Sequence, residues 1–419
     1  MAPHGLGGGG ARTIHHFDGI HNKNGVQFWR MYQRHFNPLL SNSFFLFGGR
    51  GTGKTSALRS LLPPGPSCLW FDLLDEGLFL SLSAHPARFE EMIPRSFDQT
   101  CWVVADEIQR APGLLNYVHR LIEQRGIRFA LTGSSARKLR RGGANLLAGR
   151  AWLNHLHPLT HLELGNAFDL DHVLRWGTLP RVAALSDEVE RKEFLKVYAQ
   201  TYVRQEIKEE QTVRRLDPFL RFLEVAAQCN GEILNHSKIA RDVGSDPKGV
   251  ERYFEILDDT LLGVHLEPFH ASVRKRQTRR SKFYFFDLGV TRALTHQLDA
   301  ELSPRTFAYG RAFEHFFILE CMRLRDYRRR DEQFFYLRTK DDLEIDLIIE
   351  RGGSKRTLIE IKSSNNVDAT ELTHQRKLAR DLAPCDFWVA SNERQARSID
   401  GVEILPWREV LTRLYGSEI

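Results

Sequence analysis

Between Phe44 and Leu58 the chain passes from a short apolar run, through Gly48-Gly49-Arg50-Gly51-Thr52-Gly53-Lys54-Thr55, into a helical stretch opening Ser56-Ala57-Leu58. This satisfies G-x-x-x-x-G-K-[ST] with a strand before it and a helix after it, the context in which that pattern wraps a phosphate chain. The glycines let backbone N–H groups turn inward, and the helix N-terminus adds its dipole. ATP is the expected ligand, cradled by Gly48 to Gly53 and Ser56, with Lys54 on the β- and γ-phosphates and Thr55 on Mg2+.

Such a loop requires a parallel α/β sheet around it, and the following residues supply one. Apolar runs at Phe44 to Phe47, Cys68 to Asp72, Trp102 to Ala105 and Phe129 to Leu131 are separated by helix-length segments. The third run ends in Asp106-Glu107. Adjacent carboxylates at a strand's carboxyl end suit two tasks, Asp106 holding Mg2+ through water and Glu107 polarising the attacking water. The fourth ends in Leu131-Thr132-Gly133-Ser134-Ser135, where Thr132 can position water or sense the γ-phosphate. Downstream, Arg137-Lys138-Leu139-Arg140-Arg141 and Leu147-Ala148-Gly149-Arg150 offer an arginine to a neighbouring copy's γ-phosphate, and Arg150 is the preferred candidate.

With 419 residues the chain is long enough for two or three cores. Residues 1–26 read as a flexible tail, 27–161 as the sheet domain and 162–213 as a helical lid. Residues 214–300 read as a winged helix and 301–419 as a separate α+β domain. Five scattered cysteines without a C-x-x-C pair argue against disulfides and zinc and for the cytoplasm. No apolar run approaches the ~20 residues of a membrane span.

The formal charge of +6 is matched by one stretch, Arg274-Lys275-Arg276-Gln277-Thr278-Arg279-Arg280-Ser281-Lys282, which carries six positive residues and no acid. It follows a helix from Pro247 whose Lys248 and Arg252 lie off the apolar face of Val250, Phe254 and Leu257. A basic hairpin beside such a helix is a clamp for DNA phosphates. Lys248, Arg252, Arg274, Lys275, Arg276, Arg279, Arg280 and Lys282 are the expected DNA contacts, and binding should weaken steeply with salt.

In the last domain, Leu343-Glu344-Ile345-Asp346-Leu347-Ile348-Ile349 and Thr357-Leu358-Ile359-Glu360-Ile361-Lys362 read as strands. Alternation puts Glu344 with Asp346, Ile345 with Leu347, and Glu360 with Lys362 on common faces. Adjacent strands would gather Asp346, Glu360 and Lys362, with Glu314 offered by the preceding helix. That set suits a Mg2+ site in which carboxylates hold the metal and the lysine orients water or steadies charge on phosphate.

The phosphate loop, Asp106-Glu107-Ile108-Gln109, Leu131-Thr132-Gly133-Ser134-Ser135, Phe285-Phe286-Asp287-Leu288-Gly289, Tyr336-Leu337-Arg338-Thr339-Lys340 and Ile359-Glu360-Ile361-Lys362-Ser363-Ser364 together carry a resemblance from about Gln27 onward. The chain resembles prokaryotic AAA-superfamily ATPases with a C-terminal domain of long-unknown function, itself similar to PD-(D/E)XK, or restriction-endonuclease-like, nucleases. The resemblance implies ATP hydrolysis through Lys54, Thr55, Asp106 and Glu107, a homo-oligomer, and a nuclease-type metal site at Glu314, Asp346, Glu360 and Lys362. One departure is Arg181 after Pro180, where the family more often has an acid. The expected function is ATP-driven processing of duplex or branched DNA. The alternatives are a partner-triggered defence or signalling switch and a non-catalytic DNA-binding assembly protein.

Overall fold

The computed structural model describes residues 32–135, 147, 149–202, 216–270, 280–352 and 356–416. The expected tail, Arg137 to Arg141, and Arg274, Lys275, Arg276 and Arg279 lie outside the described residues.

Five strands, β1 (Ser43–Phe47), β2 (Cys68–Asp72), β3 (Trp102–Asp106), β4 (Arg128–Gly133) and β5 (Ala151–His155), form one parallel sheet in the order β2-β3-β4-β1-β5. β1 and β3 are buried along their whole length. They are apolar on both faces because helices cover both sides. The helix Lys54–Leu61, with Leu62 after it, covers one face by packing Leu58 and Leu62 with Phe44, Leu46, Trp102 and Val104, while the helix Leu115–Arg125 covers the other through Val118 and Leu121. β4 is inserted between β1 and β3, so the ends of the loop strand and the Asp106 strand flank Thr132.

Short helices His161–Leu164, Leu170–Trp176, Pro180–Ala184 and Glu188–Val197 follow the sheet. Thr160 and Glu163 cap the first of them reciprocally. Gly177, at φ 73°, breaks the series where a Cβ would meet the Asp287 carboxylate at 2.1 Å. Helices Leu216–Gln228, His236–Val243 and Pro247–Asp259 then enclose a core of Phe219, Phe222, Val250, Phe254 and Leu257. Asp246 accepts from the Gly249 amide at 2.9 Å and Pro247 occupies the first helical position, where its missing N–H costs nothing.

The hairpin β6 (Gly263–Pro268) and β7 (Lys282–Phe285) does not close off this unit. β6 runs on to pair in parallel with β8 (Gln333–Arg338), through Glu267↔Phe335 and Pro268↔Tyr336. With β9 (Glu344–Glu350), β10 (Arg356–Lys362), β11 (Cys385–Ser391), β12 (Arg397–Ile399) and β13 (Val402–Pro406), the order is β12-β13-β11-β10-β9-β8-β6-β7. The boundary expected at residue 300 is therefore crossed by a continuous sheet. The helices Phe307–Tyr327 and Trp407–Tyr415 cover the face bearing Leu347, Ile349, Ile359 and Ile361.

Alternation along β9 is broken. The pairing with β8 shifts register between Phe335↔Ile348 and Leu337↔Ile345, leaving an extra residue in β9 around Asp346. Ile345 and Leu347, expected on one face, consequently pack into opposite cores.

The long helix Phe307–Tyr327 ties the two sheets together. Its Arg323, fully buried, donates to the carbonyls of Leu159 (3.1 Å) and Phe286 (3.0 Å) and to the Thr178 hydroxyl (3.0 Å). Glu320 accepts from the His161 amide at 3.0 Å and contacts its ring nitrogen at 2.5 Å. Gly289 lies so close to the carbonyl of Trp176, 2.0 Å from where a Cβ would sit, that only glycine fits.

Candidate nucleotide site and carboxylate centre

The glycine loop joins the end of β1 to the helix Lys54–Leu61. Gly51 and Gly53 hold φ of 79° and 92°, conformations that favour glycine. A Cβ on Gly48 would lie 2.4 Å from the Leu156 carbonyl. The buried Lys54 folds back over the loop and donates to the carbonyl of Gly48 at 2.8 Å. The Thr55 hydroxyl donates to Asp106 Oδ2 at 2.6 Å. Thr132 donates to Asp106 Oδ1 and accepts from the Glu107 amide, the latter at 2.9 Å. Thr55, Asp106, Thr132 and Glu107 thus form one hydrogen-bonded chain that joins the start of the helix Lys54–Leu61 to the ends of β3 and β4. The hydroxyl and carboxylate of Thr55 and Asp106 are hard oxygen donors of the kind Mg2+ takes, so they fit that ion.

Glu107 sits at φ 58°, a left-handed conformation costly for a side-chain-bearing residue. Its carboxylate accepts from the Gln109 amide nitrogen, which also donates to Ser134 Oγ at 3.1 Å. Sequence reading assigned no role to Gln109, because a glutamine two residues past the acids has no spacing signature.

A cavity of about 560 Å³ opens beside the loop, lined by Tyr32, Arg34, Gly51, Gly53, Ser56, Pro180 and Arg181 among others. Arg181, which follows Pro180, is exposed there, and Arg50 lies on the loop itself. Tyr198 donates to the carbonyl of Arg50 at 2.7 Å. Arg34 is the other residue the sequence did not disclose. It donates to the carbonyls of Thr52 and His157, both at 2.6 Å, to Glu163 at 2.9 Å and to the Tyr327 hydroxyl at 3.0 Å. Its pKa is held up against burial by Tyr327 and Glu163.

Tyr327 ends the same helix that carries Glu314, 13 residues earlier, or about 20 Å along a helix axis. Around Glu314 a second polar centre forms. The Lys282 ammonium, its side chain 5% exposed, lies 3.2 Å from Glu314 and 2.5 Å from Glu344, and Tyr284 donates to Glu314 at 2.7 Å. Asp346 accepts from the Ile361 amide at 2.8 Å, and Lys362 lies 2.9 Å from Glu360. Glu360 Oε2 is buried without a hydrogen-bond partner.

Burial, then Glu360 and Glu314, push the Asp346 carboxyl well above the ordinary carboxylate range. Burial raises Glu360 as well, against the opposing pull of Lys362. For Lys282, burial works against the charge, but Glu314, Asp346 and Glu344 outweigh it and hold the pKa above the usual lysine value. An all-oxygen donor set with one orphaned buried oxygen fits a hard divalent cation by its chemistry. Among the described residues, however, no three acidic, histidine or cysteine side chains converge as ligands of one ion. Glu314, Asp346 and Glu360 share a field rather than a coordination shell, with lysines between them.

The basic set divides. Lys248, Arg252 and Arg280 are exposed. Lys282 is corrected: strand pairing turns it inward among carboxylates, and it is not available to DNA phosphates. Arg150 precedes β5 and pairs with Glu123 of the same chain. No helix of the described residues is long and apolar enough to cross a membrane.

Comparison with known proteins agrees with the loop and sheet. Residues 41–165 match the model of an AAA domain, so the chain carries an AAA-type P-loop domain. Residues 167–301 match a domain of unknown function (DUF8612) and residues 309–410 another (DUF4143). The chain is similar to an uncharacterized protein of Mycobacterium tuberculosis, 26% identical over 310 residues that cover 74% of this chain and 67% of that protein. An uncharacterized protein of Mycobacterium bovis matches to the same extent. The solved structure of Can2 from Sulfobacillus thermosulfidooxidans in complex with cyclic tetra-adenylate spans 89% of this chain and 96% of that one. At 9% identity and a TM-score of 0.19, it establishes no common fold.

Proposed function

We propose that this chain hydrolyses ATP at the glycine loop and uses the cycle to process duplex or branched DNA. The observation that carries the first half is the hydrogen-bonded chain Thr55–Asp106–Thr132–Glu107 at the mouth of a loop whose lysine is already folded onto its carbonyls. Lys54 exchanges those carbonyls for the β- and γ-phosphates, and the backbone amides of Gly49 to Thr55 wrap them. Thr55 and, through water, Asp106 would hold Mg2+, which would supply neutralisation of the charge on the phosphates. Glu107 polarises the attacking water, with Thr132 and Gln109 fixing where its carboxylate lies. Arg150 of a neighbouring copy is the candidate finger in a homo-oligomer.

The DNA half rests on exposed Lys248, Arg252 and Arg280 and on the carboxylate centre. The nuclease-type reading of that centre, with Asp346, Glu360 and Glu314 as the carboxylates of a divalent metal and Lys362 orienting water, requires the three carboxylates to draw together from the separate contacts they make here. ATP turnover at low salt, without DNA, with linear duplex and with branched DNA, tests the reading against Lys54→Ala as the blank. Stimulation by DNA is expected. Glu107→Gln should retain ATP binding and lose turnover, and Lys362→Ala should lose metal-dependent cleavage while keeping turnover. Hydrolysis indifferent to every DNA would overturn the DNA half in favour of a partner-triggered switch.

A further inference from the structure

Two side chains from outside the glycine loop take hold of its backbone at alternate residues. Arg34, on the segment leading to β1, donates from Nη1 to the Thr52 carbonyl at 2.6 Å. Tyr198, which follows the helix Glu188–Val197, donates from its hydroxyl to the Arg50 carbonyl at 2.7 Å. Each held carbonyl belongs to the residue just before a glycine in the left-handed region, Gly51 at φ 79° and Gly53 at φ 92°. Glycine has more conformational freedom to lose than any other residue, so these are the points where an empty loop is freest to turn. Both peptides are trans, and across a planar trans peptide the C=O and the next N–H point in opposite directions. Holding the carbonyl outward therefore holds the amide of the following glycine inward.

Both holders are themselves fixed. The Nε of Arg34 bonds Glu163, whose fully buried carboxylate also caps Thr160, and its Nη2 bonds the His157 carbonyl and the Tyr327 hydroxyl. Tyr198 is 1% exposed, with the Phe194 and Phe286 rings beside it. We infer that Arg34 and Tyr198 are positioning residues for phosphate, keeping the amides of Gly51 and Gly53 turned toward it before nucleotide arrives. This rests on the reading of the loop as an ATP site and adds how its cradle is set from outside the motif. Preorganisation removes an ordering cost at binding, so both residues act on phosphate affinity more than on bond breaking. A lysine at position 34 keeps the charge but presents a single nitrogen, which cannot meet all the acceptors that the planar fork meets.

The test is displacement of a fluorescent ADP from the full chain by unlabelled ADP and by inorganic pyrophosphate, with Lys54→Ala as the blank. Pyrophosphate has neither base nor ribose, so it reports on the loop and not on the cavity that Arg34 also lines. Arg34→Lys should weaken both ligands about tenfold and Tyr198→Phe about fivefold. KM for ATP should rise by similar factors while kcat falls by less. Because Arg34→Lys can fail to fold with Glu163 buried and poorly paired, Tyr198→Phe, which loses only a hydroxyl, is the second variant. A variant that binds both ligands within about twofold of the parent overturns the role of the residue it replaces. Weaker ADP with unchanged pyrophosphate places the effect in the cavity and overturns it as well. If the parent binds neither ligand better than the blank, the ATP reading fails and this inference fails with it.

Discussion

Thr132→Val removes one hydroxyl and almost no volume, and the structure sets what it should cost. The hydroxyl donates to the Asp106 carboxylate and accepts from the Glu107 amide at 2.9 Å, and the side chain is wholly buried. An orphaned buried N–H costs about 1–3 kcal/mol, and a hydrogen bond to a charged group contributes about 1.5–3 kcal/mol. Asp106 keeps its second partner, Thr55, so a net loss of about 2 kcal/mol in stability is expected. The larger effect falls on turnover. Glu107 is held at φ 58°, a conformation worth about 1–2 kcal/mol of strain, partly by that amide bond. Once released, its carboxylate shifts by about an ångström, and displacement on that scale costs about 10²-fold in rate. We therefore expect kcat to fall about 10²-fold, or about 2.7 kcal/mol, with ATP affinity within about threefold of the parent. Thr132→Ser should restore most of the rate. Steady-state hydrolysis paired with fluorescent-nucleotide binding measures both quantities. A valine variant with kcat within threefold of the parent would refute the assignment.

Two further outcomes follow from buried groups. His315 donates from Nε2 to the Phe285 carbonyl at 2.6 Å while its Nδ1 accepts from the Asn230 amide at 3.2 Å, which is the neutral form. Burial, with Arg323 and Arg311 adding, pulls its pKa down to about 4. Below about pH 6.5 the unfolded chain takes up this proton and the folded chain does not, so stability falls with pH at about 1.4 kcal/mol per unit. Urea unfolding at pH 7 and pH 5 should differ by about 2 kcal/mol from this source, and an unchanged difference in His315→Gln would sink the assignment. Gly177→Ala forces a Cβ to 2.1 Å from the carboxylate of Asp287, which accepts from the amides of Thr178 and Val290. A loss of about 3 kcal/mol or more is expected, and a parental urea midpoint would contradict this packing.

Local pattern and distant pairing divide what could be read beforehand. β1 to β4 were legible because each is an apolar run bounded by turn residues, and the cap at Asp246-Pro247 announced its helix. β5 was not, since Trp152 and Leu153 are 45% and 54% exposed and the strand exists only by pairing with β1. The insertion of β4 between β1 and β3 is a long-range choice no window of residues contains. So is the register shift at Asp346, which undid the simple alternation expected of β9. Asp106, Glu107 and Thr132 stood at strand ends and could be named. Arg34 could not, because its importance comes from acceptors 18 to 293 residues away. Lys282 read as one more charge in a basic run, and only its pairing partner decided that it faced inward.

The seam between β6 and β8 also governs how this chain can be taken apart. A fragment cut to the matched residues 309–410 leaves behind the two strands that complete its sheet. β8 then presents a row of open amides and carbonyls, an invitation to pair with another molecule. The same cut strips the cation and phenol from Glu314 and leaves that carboxylate facing Glu344 unneutralised. A soluble piece should begin upstream of Gly263, carrying its own edge and its own counter-charge with it.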